Sequence, residues 1–188
     1  MSLPESNGEV SLQRVPARPR FGCKGPLAET WLRELALEVP QGANTWTCRN
    51  HDDVLVARLA TSEFLVEAVA GGGSAARRRI IEAARRLYDP QQRRMGLVPV
   101  LRQDTVLELS GTRANDVLVE TCNVNFVPHA RAARAVAGAL VLTSMIGVGV
   151  TVIARRAGSN LTYTIWCDPS FDHYMWSTLA EIATGMGN

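Results

Sequence analysis

Histidines, cysteines and a glycine turn are the residues through which this chain could do chemistry, and their spacing gives them little to do. His51 sits with Asp52-Asp53 in a turn-like stretch, and His129 follows Pro128. His173 falls on the exposed side of the first turn of a helix. None stands beside a nucleophile motif such as G-x-S-x-G. Cys23, Cys48, Cys122 and Cys167 are scattered, without C-x-x-C or histidine-linked spacing. The expectation is no metal site and buried single thiols in a reducing compartment. No residue is assigned a catalytic role.

Two groups could bind rather than react. Gly71-Gly72-Gly73-Ser74 precedes an arginine-rich helix, and a glycine turn at a helix N-terminus presents N–H groups to phosphate. Neither G-x-G-x-x-G nor G-x-x-x-x-G-K-[ST] is present, and a plain strand-to-helix turn is the simpler reading. The second group is Arg77, Arg78, Arg79, Arg85, Arg86, Arg93, Arg94 and Arg102, facing an earlier concentration of acids that includes Glu29, Glu34, Glu63 and Glu67. Solvated faces and internal ion pairs account for much of such a pattern. Its functional version is a basic surface that docks an acidic subunit, for which Arg77, Arg78, Arg85, Arg86, Arg93 and Arg94 are the candidates. Aromatic residues are not interleaved with these arginines as base stacking would require, so nucleic acid is not an expected partner.

The elements that must position these residues fit a chain of 188 residues with 46% hydrophobic and 20% charged content, enough for one medium domain or two small halves. A net charge of +2 is too small to argue for nucleic acid, and Lys24 is the lone lysine among 20 basic residues. Residues 1–20 read as an extended arm, either free or laid across a partner, without the apolar core of a signal peptide. Residues 135–154 carry no charge and approach the length of a membrane span. Gly138, Gly147 and Gly149 and the β-branched second half favour two strands joined near Met145-Ile146-Gly147 instead. The chain is expected in the cytoplasm, with no membrane contact.

Lys24-Gly25-Pro26 to Leu32 matches Ser110-Gly111-Thr112 to Leu118 as strand, glycine turn and amphipathic helix, 86 positions apart. Further along, strands are expected over 54–60, 63–69, 140–146, 148–155 and 161–167. A helix over 75–88 should turn Ile80, Ile81, Ala84, Leu87 and Tyr88 inward. The closing helix follows an Asp168-Pro169-Ser170 cap and should bury Phe171, Tyr174, Met175, Thr178, Leu179 and Ile182. Ser110-Gly111-Thr112 should cap the helix that it precedes. The predicted fold class is α+β, with duplicated β-α-β-β-α-like halves at 21–90 and 103–188 within one domain, joined by a linker at 91–102.

With these modules placed, the sequence resembles the small, GcvT-like gamma subunit of heterotetrameric sarcosine oxidases and N-methylglutamate dehydrogenases. Phe21 to Leu32, Val39-Pro40, Asn44-Thr45-Trp46, Arg58-Leu59 and Glu63-Phe64-Leu65-Val66 carry the likeness in the first half. Leu107-Glu108-Leu109-Ser110-Gly111 and Ser170-Phe171-Asp172-His173-Tyr174-Met175-Trp176 carry it in the second. The resemblance implies part of the folate-binding aminomethyltransferase fold and a non-catalytic place in a flavin-dependent N-methyl-amino-acid dehydrogenase or oxidase of methylamine metabolism. It implies that this chain holds no cofactor, and that FAD, FMN, NAD and tetrahydrofolate belong to larger flavoprotein partners. Trp31, Trp46, Phe171, Tyr174 and Trp176 are candidate aromatic anchors, with core packing the expected role of most. The alternatives are a free-standing folate-binding aminomethyltransferase-like protein and a small RNA-binding module.

Overall fold

A computed structural model describes residues 9–49, 54–69, 74–157 and 159–185. Its strands are β1 (Ser11–Arg14), β2 (Arg20–Lys24), β3 (Thr45–Arg49), β4 (Val54–Ala60), β5 (Glu63–Ala68), β6 (Val98–Val100), β7 (Thr105–Ser110), β8 (Ala137–Met145), β9 (Val148–Ala157) and β10 (Asn160–Cys167). Its α-helices are α1 (Ala28–Glu34), α2 (Ser74–Tyr88), α3 (Ala114–Thr121), α4 (Val127–Ala132) and α5 (Asp172–Gly185). Contacts divide them into a first unit, Arg18–Arg102, and a second unit, Met1–Ala17 with Gln103–Asn188.

Each unit is an antiparallel sheet with helices packed on it. The strand order is β3-β4-β5-β2-β6 in the first unit and β8-β9-β10-β7-β1 in the second. Position by position, β2 corresponds to β7, β3 to β8, β4 to β9, β5 to β10 and the edge strand β6 to β1. Helix α1 corresponds to α3 and α2 to α5, while α4 is an addition of the second unit. The α+β class and the duplicated halves are both present.

The repeated turn is held by a backbone requirement. Gly25 and Gly111 adopt φ of 111° and 112°, a region open to glycine and hostile to other residues. A Cβ added at Gly25 would lie 2.4 Å from the Gly96 carbonyl oxygen, and one at Gly111 would lie 2.2 Å from that of Glu9. Those carbonyls accept matching hydrogen bonds, from Leu27 N at 3.0 Å and from Arg113 N at 2.9 Å. Each glycine turn therefore fixes the register of an incoming edge strand. The edges are exchanged along the chain: β1 precedes β2 but pairs with β7, and β6 precedes β7 but pairs with β2.

Apolar periodicity then fills the cores. In the first unit Phe21, Leu32, Phe64, Val66 and Ile80 are sealed between the sheet and its two helices. In the second, Leu107, Leu118, Phe126, Ile165 and Leu179 do the same. Each such side chain stabilises the unit by about 1.5–3 kcal/mol relative to exposure.

Several expectations need correction. Within the supposed arm, β1 pairs with β7, and Arg14 meets Asp172 at 3.1 Å and stacks 4.7 Å over the Trp176 ring. Residues 1–8 lie outside the described residues. The linker at 91–102 belongs to the first unit, where Pro90–Gln92 forms a 3-10 turn and Val98–Val100 a strand. Thr45–Arg49, outside the strands expected from the sequence, is a strand with Trp46 fully buried.

Helix α2 buries Ile80, Ala83 and Leu87, leaving Ile81 and Tyr88 exposed because each is one residue off that stripe. Helix α5 buries Met175, Trp176, Leu179 and Ala183, while Phe171 and Tyr174 stay half exposed. Arg113 is the N-cap residue of α3 and makes no side-chain cap bond, so Ser110-Gly111-Thr112 does not cap it. Asp168 does accept from Ser170 N at 2.8 Å, capping the 3-10 turn that leads into α5. The uncharged 135–154 segment lies in β8 and β9, joined through Ile146 and Gly147 at φ of 45° and 82°. Among the described residues no helix is long and apolar enough to cross a membrane.

Candidate partner interface

The helical period sorts the residues of α2 into two faces. With Ile80, Ala83 and Leu87 inward, Arg77, Arg78, Arg85 and Arg86 face solvent. No carboxylate among the described residues pairs with any of those four, nor with exposed Arg93. The stretch 74–102 holds eight arginines against Glu82 and Asp89, a local excess of six positive charges. Such a concentration produces a field that a surface of opposite sign can use for steering and register.

The neighbouring arginines do structural work. Arg79 donates through Nη2 to the Leu35 carbonyl and, at 2.8 Å, to that of Ala36, satisfying carbonyls at the C-terminal end of α1. Arg94 meets Glu34 at 2.7 Å, with both side chains about half exposed. Arg102 meets Glu63 at 2.8 Å. Exposed ion pairs of the Arg94 kind contribute at most about 1 kcal/mol. The structure thus brings Arg86, Arg93 and Arg94 around one cavity of about 480 Å³, with Trp31, Glu34 and Leu97 among its other walls. Arg77, Arg78 and Arg85 lie outside it.

The same basic stretch also carries exposed apolar groups. Met95 is 97% exposed and Leu101 68%, flanking the edge strand β6, where Val98 is 45% exposed. Pro99 gives that edge no N–H, and Tyr88 Oη donates to the Val100 carbonyl at 2.8 Å. Exposed apolar groups within an arginine-rich stretch have the composition of a protein-binding patch. The arginine run was visible in the sequence. Met95 and Leu101 were missed, although two large apolar residues inside a basic connection are a readable signal.

The other candidates separate cleanly. Trp46, Trp31 and Trp176 are core residues, and only Phe171 and Tyr174 of the proposed anchors reach the surface. His129 lies on α4 beside the Phe126 ring at 5.6 Å, and His173 is exposed on α5. His51, Asp52, Asp53 and Gly71-Gly72-Gly73 lie outside the described residues. The four cysteines are buried free thiols. Burial is the leading cause that pushes Cys23 up to about 12 and Cys167 up to about 11, the opposite of an activated nucleophile. Among the described residues no group of His, Cys, Asp and Glu could hold a metal ion.

The architecture defines a class: an α+β protein of two repeated antiparallel half-sheets, each closed by its own helix pair. A chain of heterotetrameric sarcosine oxidase from Corynebacterium sp. U-96, solved in complex with pyrrole 2-carboxylate, has this fold. Its TM-score is 0.70 at 18% identity, covering 95% of this chain and 86% of that one. The glycine cleavage system aminomethyltransferase T from Bartonella henselae is also similar, with a TM-score of 0.56 at 14% identity over 93% of this chain. This chain spans 46% of the aminomethyltransferase. No protein-family model and no curated protein matches the sequence. The likeness is one of fold, and it is the fold that the resemblance implied.

Proposed function

We propose that this chain is a small assembly subunit of a hetero-oligomeric, flavin-dependent oxidoreductase acting on an N-methyl amino acid of the sarcosine or N-methylglutamate type. The observation that carries this reading is the near-complete match, 95% of this chain against 86% of the other, to a chain of a heterotetrameric sarcosine oxidase. The outward arginines of α2 with Met95 and Leu101 are the surface offered to an acidic partner. Substrate oxidation, FAD, FMN, NAD and transfer of the one-carbon unit to tetrahydrofolate are assigned to the companion subunits. This chain contributes no reacting group, and the assembly is cytoplasmic.

Affinity purification of the tagged chain from its native cell, followed by an absorbance spectrum, tests the reading. Co-purification of larger chains that carry the visible absorbance of bound flavin supports it. The quadruple reversal R77E/R78E/R85E/R86E should release those chains while leaving this one folded, because all four side chains face solvent. Recovery of the chain alone, with tetrahydrofolate binding by the isolated protein, would instead favour a free-standing aminomethyltransferase-like protein.

A further inference from the structure

The second unit contains a cavity of about 750 Å³ between the start of α3, the end of α4 and the β9–β10 hairpin. That volume falls in the range of small-molecule sites, about 300–1,000 Å³. Its polar walls include Thr112, Asn115, Arg131, Arg156, Asn160 and Thr162, and among the described residues no aspartate or glutamate lines it. Val127, Ala130 and Leu161 supply apolar surface.

The hydrogen bonds leave this wall rich in donors. Tyr163 Oη donates to Asn115 Oδ1 at 2.5 Å, so the amide of Asn115 keeps its two N–H donors for the cavity. Arg156 donates through Nη2 to the Ala130 carbonyl at 3.1 Å, which anchors the guanidinium against α4. Its other N–H groups pair with no carboxylate of the described residues. Arg131 is exposed at the rim. Burial pushes Tyr163 up to about 12, against the opposing effects of Asn115 and Arg156, so the phenol supplies no internal anion.

The first unit shows what the same frame does with a carboxylate of its own. Glu29 stands one residue after Ala28 as Asn115 stands after Ala114, and Phe64 pairs with Cys23 as Tyr163 pairs with Leu109. Glu29 meets Arg58 at 3.0 Å and Arg33 at 2.8 Å, and Arg58 lies 5.2 Å over the Phe64 ring. The first unit therefore neutralises Arg58 internally, whereas the second offers two guanidinium groups and an amide to a cavity that no acid of the described residues lines.

We propose that this cavity binds a small organic oxyanion, a carboxylate or phosphate on a metabolite-sized body, with Asn115, Arg131 and Arg156 as its donors. A planar guanidinium suits either headgroup, and Val127 and Leu161 would cover the body.

Calorimetric titration of the full chain at fixed salt with glutarate, glycerol 3-phosphate and neutral glutaramide tests the site. Saturable 1:1 binding of one or both acids, with none of glutaramide, is expected, and the acid that binds identifies the headgroup. Arg131→Gln, whose side chain is exposed, and Asn115→Asp, which installs the first unit's chemistry, should each weaken binding at least about tenfold. R77Q/R78Q, on the other basic surface, should leave it unchanged. Failure of both acids to bind by about 10 mM, an affinity too weak to matter, would overturn the proposal. So would binding that survives R131Q and N115D but is lost in R77Q/R78Q.

Discussion

The two units share a backbone and differ in how they use charge. Opposite each other on β2 and β5 stand Arg20 and Glu67, whose side chains meet at 3.1 Å with Glu67 1% exposed. The corresponding cross-strand pair on β7 and β10 is Val106 and Trp166, both buried. Arg18 also approaches Glu67, at 3.6 Å. The contrast recurs at Glu29–Arg58 against Asn115–Tyr163. Duplicated frames therefore constrain the glycine turn and the edge register, while the cross-strand pair is ionic in one unit and apolar in the other. That freedom allows the Arg58 guanidinium to be neutralised within its own unit, while Asn115, at the position of Glu29, brings no carboxylate.

Gly25→Ala and Gly111→Ala should have the largest effects, each costing at least about 3 kcal/mol, because a positive φ and a collision with a carbonyl oxygen act together. Urea unfolding would measure them. Costs of similar size support equivalent turns, and a cost at only one glycine breaks the correspondence.

Removing one partner of the buried pair comes next. Glu67→Ala should cost about 3 kcal/mol by leaving Arg20 desolvated without its carboxylate. The double variant R20V/E67L, which copies the apolar solution of the second unit, should recover most of that loss. A double variant no more stable than the single one would show that the two solutions are not interchangeable.

The thiols give a smaller effect with a defined sign. Cys23 and Cys167 titrate higher when folded, so their contribution is complete below the ordinary thiol value of 9.0 and is lost as pH rises toward about 12 and 11. Each should cost about 1 kcal/mol by pH 10. Thiol labelling should be slow in the native protein and fast in denaturant, and rapid native labelling of either would contradict its burial.

The smallest effect belongs to Glu29. Its carboxyl is held below the usual range, first by the hydrogen bond from Arg33 and also by Arg58. The stability it adds is present above the ordinary carboxylate value and fades as pH falls through the lowered folded one. Glu29→Gln should flatten that acid limb of the stability–pH curve slightly, whereas Asn115→Gln should leave it untouched.

Much of the fold was legible because the strongest signals were local. Gly25-Pro26 and Ser110-Gly111 mark the repeated turns, and runs of β-branched, aromatic and large apolar residues mark β4, β5, β9 and β10. The edge strands β1 and β6 escaped because they are short, and their partners lie far away in sequence. β3 was hidden by surrounding loop chemistry, although Trp46 pointed inward. The arginine run was readable as composition. The cavity was not, since Asn115, Arg131 and Arg156 come from separate elements and no local spacing joins them.

The exchanged edges impose an order on biosynthesis. β6 emerges from the ribosome after β2 is already made and can close the first sheet at once. β1 is translated first yet has no mate until β7 appears, with the 90 residues between Arg14 and Thr105 still to be synthesised. At roughly 5–20 residues per second that is a wait of roughly 5–20 s. Throughout it the nascent chain exposes an unmated strand, the kind of surface that chaperones cover.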